Sequence, residues 1–190
     1  TTYTIFFVLG IALYLSIPFS AQMVSASQAV AWLVTFYAAT MIIFTMYGGG
    51  FATIPAYLAD LYGTKYVGGI HGRLLTAWST AGVLGPMAIA VLKDRTRLGA
   101  IENLAAKVEV EKFADTFGQP LSELKILVEA KTVTIAKLME IVPAGTIDPT
   151  TTLYNTTMYL MAGLLGLALI ANLSIKPVDT KHHLKDDLDP

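Results

Sequence analysis

The stretch from Val30 to Ala59, VAWLVTFYAATMIIFTMYGGGFATIPAYLA, contains no charged side chain. About 20 apolar residues are enough for a helix to cross the hydrocarbon core of a bilayer, so this stretch is too long for one straight crossing. Glycine runs and prolines are places where transmembrane helices bend or unwind. The triplet Gly48, Gly49 and Gly50, followed by Pro55, therefore predicts a crossing over 29–58 that is broken at the glycines.

The rest of the chain shows the same segregation of charge. Of the 190 residues, 54% are hydrophobic and only 14% are charged, whereas about a quarter of the residues in soluble domains are charged. Residues 1–59, 74–92 and 149–175 contain no charged residue and no histidine. This composition excludes a soluble globular enzyme and predicts an all-α integral membrane protein.

The net charge and the cysteine content exclude further classes of partner. A net charge of −1 gives no electrostatic footprint for nucleic acid. The absence of cysteine removes disulfide frameworks and thiolate metal sites. We therefore expect no catalytic group, no metal, no cofactor and no nucleic acid, and the partner that the composition does imply is the lipid bilayer.

The charge-free blocks predict four transmembrane crossings and two polar segments. The first block divides at a cluster of serines and glutamines near 20–28, which suits a short turn at the membrane interface. The predicted organisation is three crossings within 1–92 (3–19, 29–58 and 69–92), an extramembrane insertion over 93–150, a fourth crossing over 151–176 and a polar tail over 177–190.

The insertion over 93–150 differs in character from the rest, with 8 basic and 9 acidic residues. Its apolar residues recur at i, i+3, i+4 and i+7, the spacing of amphipathic helices. We expect short helices that pack on the membrane surface or on a partner. The positions concerned are Ile101, Leu104, Ala105, Val108, Leu121, Leu124, Leu127, Val128, Val133, Ile135, Leu138 and Met139.

The crossing at 69–92 carries small residues at helical spacing. Such stripes allow helix backbones to approach closely in lipid, where the hydrophobic effect does not drive helix association. We therefore predict that this crossing is a packed, interior-facing helix. The two stripes are Gly72, Thr76 and Thr80, and Ala77, Ala81 and Gly85.

Helix parity places the connection 60–73 and the tail on one side of the membrane. Lysine or arginine near a membrane end on that side favours the cytoplasmic face or its equivalent, and the insertion falls on the opposite side. Because Thr1 leads directly into apolar sequence without Met or a basic leader, we expect the natural chain to be longer than this one.

The segment from Tyr47 to Pro86, YGGGFATIPAYLADLYGTKYVGGIHGRLLTAWSTAGVLGP, resembles the major facilitator superfamily. Within it, the segment is most similar to the oxalate:formate antiporter and monocarboxylate transporter-like branch, and the tail from Ile175 to His183 resembles the ending of the same family. The resemblance implies that the four crossings correspond to the ninth to twelfth helices of a twelve-helix transporter. Such a transporter works by alternating access, with a substrate site near the midplane.

The resemblance also implies a substrate-facing role for the crossing at 69–92. Oxalate-type members carry a lysine in a Thr-Ala-Lys context, and in Thr76-Ala77-Trp78 the matching position is Trp78. The departure removes the intramembrane cation and favours a monoanion over a dicarboxylate. Tyr47, Thr76 and Trp78 are candidates to face substrate; the alternative is that Tyr47 and Trp78 only pack.

Three groups of residues are candidates for gating or for loop geometry. Asp60, Gly63 and Lys65 resemble the cytoplasmic-loop signature of the family and are interpreted as fixing that loop. His71 and Arg73 either form a gating or proton-coupling pair, because His titrates near neutrality, or anchor the helix at the interface. The triplet 48–50 is either a hinge or a close-packing site.

Two patterns matching N-glycosylation are interpreted as chance. Asn155-Thr-Thr lies at the start of the fourth crossing and Asn172-Leu-Ser lies within it, too close to lipid for modification.

Two functions follow from these expectations. The first is a secondary carrier, by antiport or symport, of small monocarboxylates or oxalate/formate-like anions, of which this chain is the C-terminal part. The second is a transporter-derived accessory subunit of a larger membrane complex, without transport activity, that docks through 93–150. The partners would be the remainder of the transporter or other membrane subunits, in the plasma membrane or the mitochondrial inner membrane.

Overall fold

The computed structural model describes residues 2–176, and within that range the chain forms helices and no strand. The predicted polar tail over 177–190, including the histidines in the part of the tail that resembles the family, lies outside the described residues. Single 3-10 turns at Leu121–Glu123 and Pro149–Thr152 precede α5 and α7. The α-helices are α1 (Thr2–Ser27), α2 (Val30–Tyr62), α3 (Val67–Ala105), α4 (Val110–Phe117), α5 (Leu124–Glu129), α6 (Ile135–Ile141) and α7 (Asn155–Ser174).

Four of these helices are long and apolar enough to cross a membrane: α1, α2, α3 and α7 with the turn before it. The all-helical class and the transmembrane character predicted from composition are therefore confirmed, since the charge-free blocks become the spanning helices. An integral membrane location fits these four helices.

The helix α1 lies between α2 and α7 and packs closely on both. The helix α3 makes fewer contacts with α2 and α7 than α1 does. Neighbouring helices run antiparallel. The Thr4 side chain meets Asn172 near the end of α7, and the Phe19 ring meets Trp32 near the start of α2 at 5.4 Å between centroids. The tight α1–α2 turn therefore lies at the same end of the bundle as the start of α7.

The polar cluster near 20–28 does not end α1, which continues to Ser27. The prediction of a turn from residue 20 is wrong because the serine hydroxyls bond within the helix. Ser20 Oγ donates to the carbonyl of Ile17 at 3.0 Å, and Ser27 Oγ donates to that of Met23 at 2.7 Å. A serine hydroxyl that donates to a carbonyl of its own helix needs no water as a partner. Ser20 can therefore be buried, as it is in the structure. The chain turns at Gln28, which has a φ of 50°.

The helix α2 continues through the glycine triplet from Val30 to Tyr62, so the predicted break at Gly48–Gly50 is wrong. Glycine costs a helix about 1 kcal/mol relative to alanine, which weakens a helix without forcing it to end. Pro55 lacks an N–H and leaves the carbonyl of Phe51 without its helical donor.

The helix α3 runs for 39 residues without interruption, about 58 Å at the α-helical rise. It therefore continues beyond the predicted boundary at 92/93 into the insertion. The predicted close packing of its apolar part is not seen, because none of its most apolar window is buried in the structure. A Cβ added at Gly72, Gly82 or Gly85 would meet no atom within 4 Å.

The end of α3 and the helices α4, α5 and α6 form a small helical domain with its own core, here called the helical domain (residues 98–142). Phe113 and Leu138 are completely buried in it, and the Phe117 ring packs against Phe113 in a tilted geometry, with 4.7 Å between ring centroids. The core positions predicted from the apolar spacing are therefore largely confirmed. The buried cluster is Ile101, Leu104, Ala105, Val108, Phe113, Leu127, Val128, Val133 and Leu138.

Candidate functional site

An aromatic cleft opens between α1, α2, α3 and α7, with a volume of about 300 Å³. Gly10 and aliphatic residues such as Ile43, Met46 and Leu165 complete its walls. Apolar pockets of this size with a few polar groups are typical of small-molecule sites. The aromatic cleft is defined by the side chains of Tyr3, Phe6, Phe7, Tyr14, Tyr47, Phe51 and Trp78.

Tyr47 on α2 and Trp78 on α3 meet at the open side of the aromatic cleft. The indole Nε1 of Trp78 donates a hydrogen bond to the Tyr47 hydroxyl at 3.3 Å. The Trp78 ring also contacts Phe51, with 5.7 Å between centroids. Both residues are well exposed, Tyr47 at 63% and Trp78 at 53%, so they leave room for a further molecule or helix.

Tyr3 on α1 also lines the aromatic cleft. Its hydroxyl donates to the carbonyl of Gly50 at 2.7 Å and accepts from Thr53 Oγ1 at 3.1 Å. Its ring lies 4.9 Å from that of Tyr57, centroid to centroid. These contacts fix the first turn of α1 on the second half of α2.

A second polar contact joins three helices next to Tyr3. Tyr57 Oη donates to Asn172 Oδ1 at 3.3 Å, and Asn172 Nδ2 donates to Thr4 Oγ1 at 3.2 Å. Interhelical amide and hydroxyl bonds of this kind stabilise membrane bundles by about 0.6 kcal/mol on average. The Asn172 amide is thus used inside the bundle, which fits its interpretation as a chance glycosylation match.

The residues that line the aromatic cleft include no charged side chain. The cleft can hold an apolar or planar group against its rings and offer hydroxyl and indole hydrogen bonds. It supplies no cation for a carboxylate. Within residues 2–176 no group of three histidine, aspartate or glutamate side chains is placed to bind a metal ion.

Thr76, the third candidate to face substrate, does not line the aromatic cleft. It is exposed, and its hydroxyl donates to the carbonyl of Arg73 at 2.6 Å. The structure therefore brings together Tyr47 and Trp78 and leaves Thr76 apart from them.

The loop candidates lie at the α2–α3 connection. Gly63 ends α2 with a φ of 77°, a conformation that glycine adopts without strain, and its N–H donates to the carbonyl of Ala59 at 2.9 Å. Asp60 and Lys65 are exposed, and Lys65 Nζ lies 5.9 Å from the centroid of the Tyr66 ring. The connection is a tight glycine turn flanked by charges.

His71 and Arg73 separate in the structure. The His71 ring approaches Phe51 at 6.5 Å between centroids, and its Nδ1 is buried without a hydrogen-bond partner among the described residues. Arg73 is exposed. His71 therefore lies beside the aromatic cleft, and a joint gating role for the pair stays a prediction.

Two residues of the glycine triplet, Gly49 and Gly50, lie on the side of α2 that faces α1. A Cβ at Gly49 would lie 3.6 Å from Cζ of Phe6, and one at Gly50 would lie 3.9 Å from its Cδ2. Gly48 has no neighbour within 4 Å. These are ordinary contact distances, so alanine fits at each position, and close packing does not by itself require glycine there.

The contribution of α1 to the site was not predicted from the sequence. Tyr3, Phe6, Phe7, Gly10 and Tyr14 all line the aromatic cleft, and their spacing of three, four, seven and eleven residues from Tyr3 marks one helix face. The aromatic enrichment of that face was the available signal. No protein-family model, curated protein or solved structure matches this chain.

Proposed function

We propose that this chain is the C-terminal part of a secondary membrane transporter for small monocarboxylates or oxalate/formate-like anions, working by alternating access. The observation that carries the proposal is the aromatic cleft, at whose open side Tyr47 and Trp78 meet. These are two of the three residues, with Thr76, that are candidates to face substrate. Four helices able to span a membrane are compatible with such a carrier.

The electrostatics of the aromatic cleft limit how it can bind a carboxylate. A carboxylate in lipid needs a positive or strongly hydrogen-bonding partner, and the cleft offers only hydroxyl and indole groups. The positive partner therefore belongs to helices outside this chain. The exposed sides of Trp78 and of α3 leave space for such helices.

The packing suggests which parts move together. The helices α1, α2 and α7 are joined by close contacts and by the Tyr3 and Asn172 hydrogen bonds. Contacts between α3 and the other spanning helices are sparser. In alternating access, α1, α2 and α7 would move as one body and α3 would adjust against it at Tyr47.

Uptake of radiolabelled lactate, formate and oxalate into proteoliposomes that contain the full natural protein tests this function. We expect uptake of monoanions, and we expect Trp78→Ala to reduce it at unchanged protein density. Trp32→Ala is the matched control, because Trp32 contacts Phe19 and does not line the aromatic cleft. Equal uptake by both variants, or no uptake by the natural protein, would overturn the proposal.

One observation favours the second function, an accessory subunit of a membrane complex. The helical domain has its own core, and its apolar side chains Val110 and Ile126 are exposed and available for contact with a partner. If this function holds, the natural protein migrates with other subunits in mild detergent and takes up no anion. The double substitution Val110→Ser and Ile126→Ser would then release it from them.

A further inference from the structure

A second cavity, distinct from the aromatic cleft, runs between α1, α2 and the start of α7. Its volume is about 440 Å³. We call it the apolar groove and define it by Ile17, Pro18, Phe36, Ile43, Phe44 and Met158. Along α1 it extends from Ala21 to Tyr14, about 10 Å at the helical rise.

One end of the apolar groove is polar, and this end lies at the membrane interface. Thr150, Thr151, Tyr154 and Asn155 line it, at the point where the chain enters α7. Lys93 lies at the same end and is the first charged residue after the charge-free block 74–92. The groove is therefore amphipathic along the membrane normal, with its apolar body toward the membrane interior.

Lys93 gives the polar end a positive charge. Its Nζ lies 5.2 Å from the centroid of the Tyr154 ring, which lines the apolar groove. Asp94, which follows Lys93 in sequence, faces Arg97, at 4.0 Å from Oδ1 to Nε. Asp148, which precedes the groove threonines, accepts from the N–H and the hydroxyl of Thr150. Within residues 2–176 no carboxylate forms a salt bridge with Lys93.

The body of the apolar groove does not need a hydrogen bond from an occupant. The Thr40 hydroxyl, which faces it, already donates to the carbonyl of Phe36 at 2.8 Å. At its inner end the groove meets the aromatic cleft, since Tyr14 and Ile43 line both. An acyl chain, which spans about 15 Å or half of the hydrocarbon core, can follow the groove and end near Tyr14.

We propose that the apolar groove binds one anionic phospholipid, with an acyl chain along α1 and the phosphate beside Lys93 and the threonines that precede α7. The apolar lining matches the chain. The Lys93 ammonium, which forms no salt bridge within residues 2–176, matches the headgroup charge. A lysine near a membrane surface is worth about a five-fold preference for an anionic lipid. The proposal is independent of any transport activity.

Native mass spectrometry of the purified natural protein tests the proposal, after equilibration in detergent with equimolar phosphatidylcholine and phosphatidylglycerol. We expect one retained lipid, with phosphatidylglycerol favoured about five-fold. Lys93→Gln should bring this ratio close to one. Arg95→Gln is the control, because Arg95 has the same charge on the same helix, whereas Lys93 is the residue whose Nζ approaches the ring of Tyr154, which lines the groove.

A second pair of variants tests the acyl-chain part. Ala21→Leu fills the apolar groove and should abolish the retained lipid, whereas Ala12→Leu, on an exposed face of α1, should keep it. Equal retention of the two lipids by the natural protein, an unchanged ratio in Lys93→Gln, or equal retention by the two leucine variants would each overturn the proposal. If Ala21→Leu does not fold, the Lys93→Gln and Arg95→Gln comparison decides alone.

Discussion

Cδ1 of Leu165 on α7 fills the space beside Gly10 on α1, so that a Cβ at Gly10 would lie 2.8 Å from it. The next nearest atom, Cε of Met46 on α2, would lie at 3.6 Å. Gly10 is therefore a point of close contact between α1 and α7, which α2 also approaches. Small residues at such crossings allow the dispersion contacts that hold membrane helices together.

The first prediction concerns this crossing. Gly10→Leu should destabilise the bundle by about 1 to 3 kcal/mol, the usual cost of overpacking a tight site. Gly48→Leu should not, because no atom lies within 4 Å of that Cβ position. Thermal unfolding in one detergent measures both, and equal transition temperatures for the two variants would contradict the contact.

The second prediction concerns the hydrogen bond between Thr4 and Asn172. Thr4→Val and Asn172→Ala should each lower the stability of the bundle, and the double variant should lose less than the sum of the two. The expected coupling is about 0.6 kcal/mol, the average for interhelical hydrogen bonds in a membrane protein. A double-mutant cycle in a mixed-micelle denaturation assay measures it, and strict additivity would mean that the bond contributes nothing.

The third prediction separates packing from movement in the glycine triplet. Gly49→Ala meets only an ordinary contact with Phe6 and should stabilise α2 by roughly 0.5 to 1 kcal/mol through helix propensity. If the triplet is a hinge, the same variant lowers anion uptake by the full natural protein despite its higher stability. Higher stability with unchanged uptake would exclude the hinge.

The fourth prediction concerns the helical domain. Leu138→Ala should destabilise it by about 2 to 5 kcal/mol, because a completely buried leucine leaves a cavity. Ile126→Ala, at an exposed position, should have little effect. Hydrogen exchange should show faster exchange in 98–142 for Leu138→Ala, with α1 and α2 unchanged. Faster exchange throughout the bundle would mean that the domain core is not separate.

The fifth prediction concerns topology. Lys131 lies exposed at the turn after α5 with a φ of 57°, and Lys65 lies in the α2–α3 connection at the other end of the bundle. Trypsin added to sealed vesicles should cut at one of these lysines and spare the other until the vesicles are opened. Cleavage of both from one face would overturn the four-crossing arrangement.

The spanning helices and the core of the helical domain were predictable because each leaves a strong pattern in the sequence. The absence of charge between Val30 and Ala59 has one stable solution in lipid, a helix that satisfies its own backbone. The three- and four-residue spacing around Ile101 and Leu138 likewise fixes which face is buried. Both patterns depend on local composition, which a single sequence contains.

The ends of the helices were not predictable from the same patterns. Ser20 and Ser27 resemble turn residues but bond to their own helix, and Gly48–Gly50 weaken α2 without ending it. The change from apolar to charged residues at Lys93 does not end α3, which continues to Ala105. The polarity of the residues in a helix indicates the surroundings of that helix more directly than it indicates where the helix ends.

The candidate site was predictable only in part. Tyr47 and Trp78 were identified and do meet, whereas the aromatic face of α1 and the Asn172 contact depend on which helices are neighbours. Pairing between α1 and α7 joins residues that are far apart in sequence, such as Thr4 and Asn172. No local spacing encodes that pairing.

The uninterrupted course of α3 also has a mechanical consequence. A continuous helix transmits tilt and rotation along its whole length, and the last 13 residues of α3, about 20 Å at the helical rise, are anchored in the helical domain through Ile101 and Leu104. Any change in the angle of α3 at Trp78 therefore moves the helical domain as well. A spectroscopic label at exposed Lys112 would therefore report how α3 lies against the aromatic cleft.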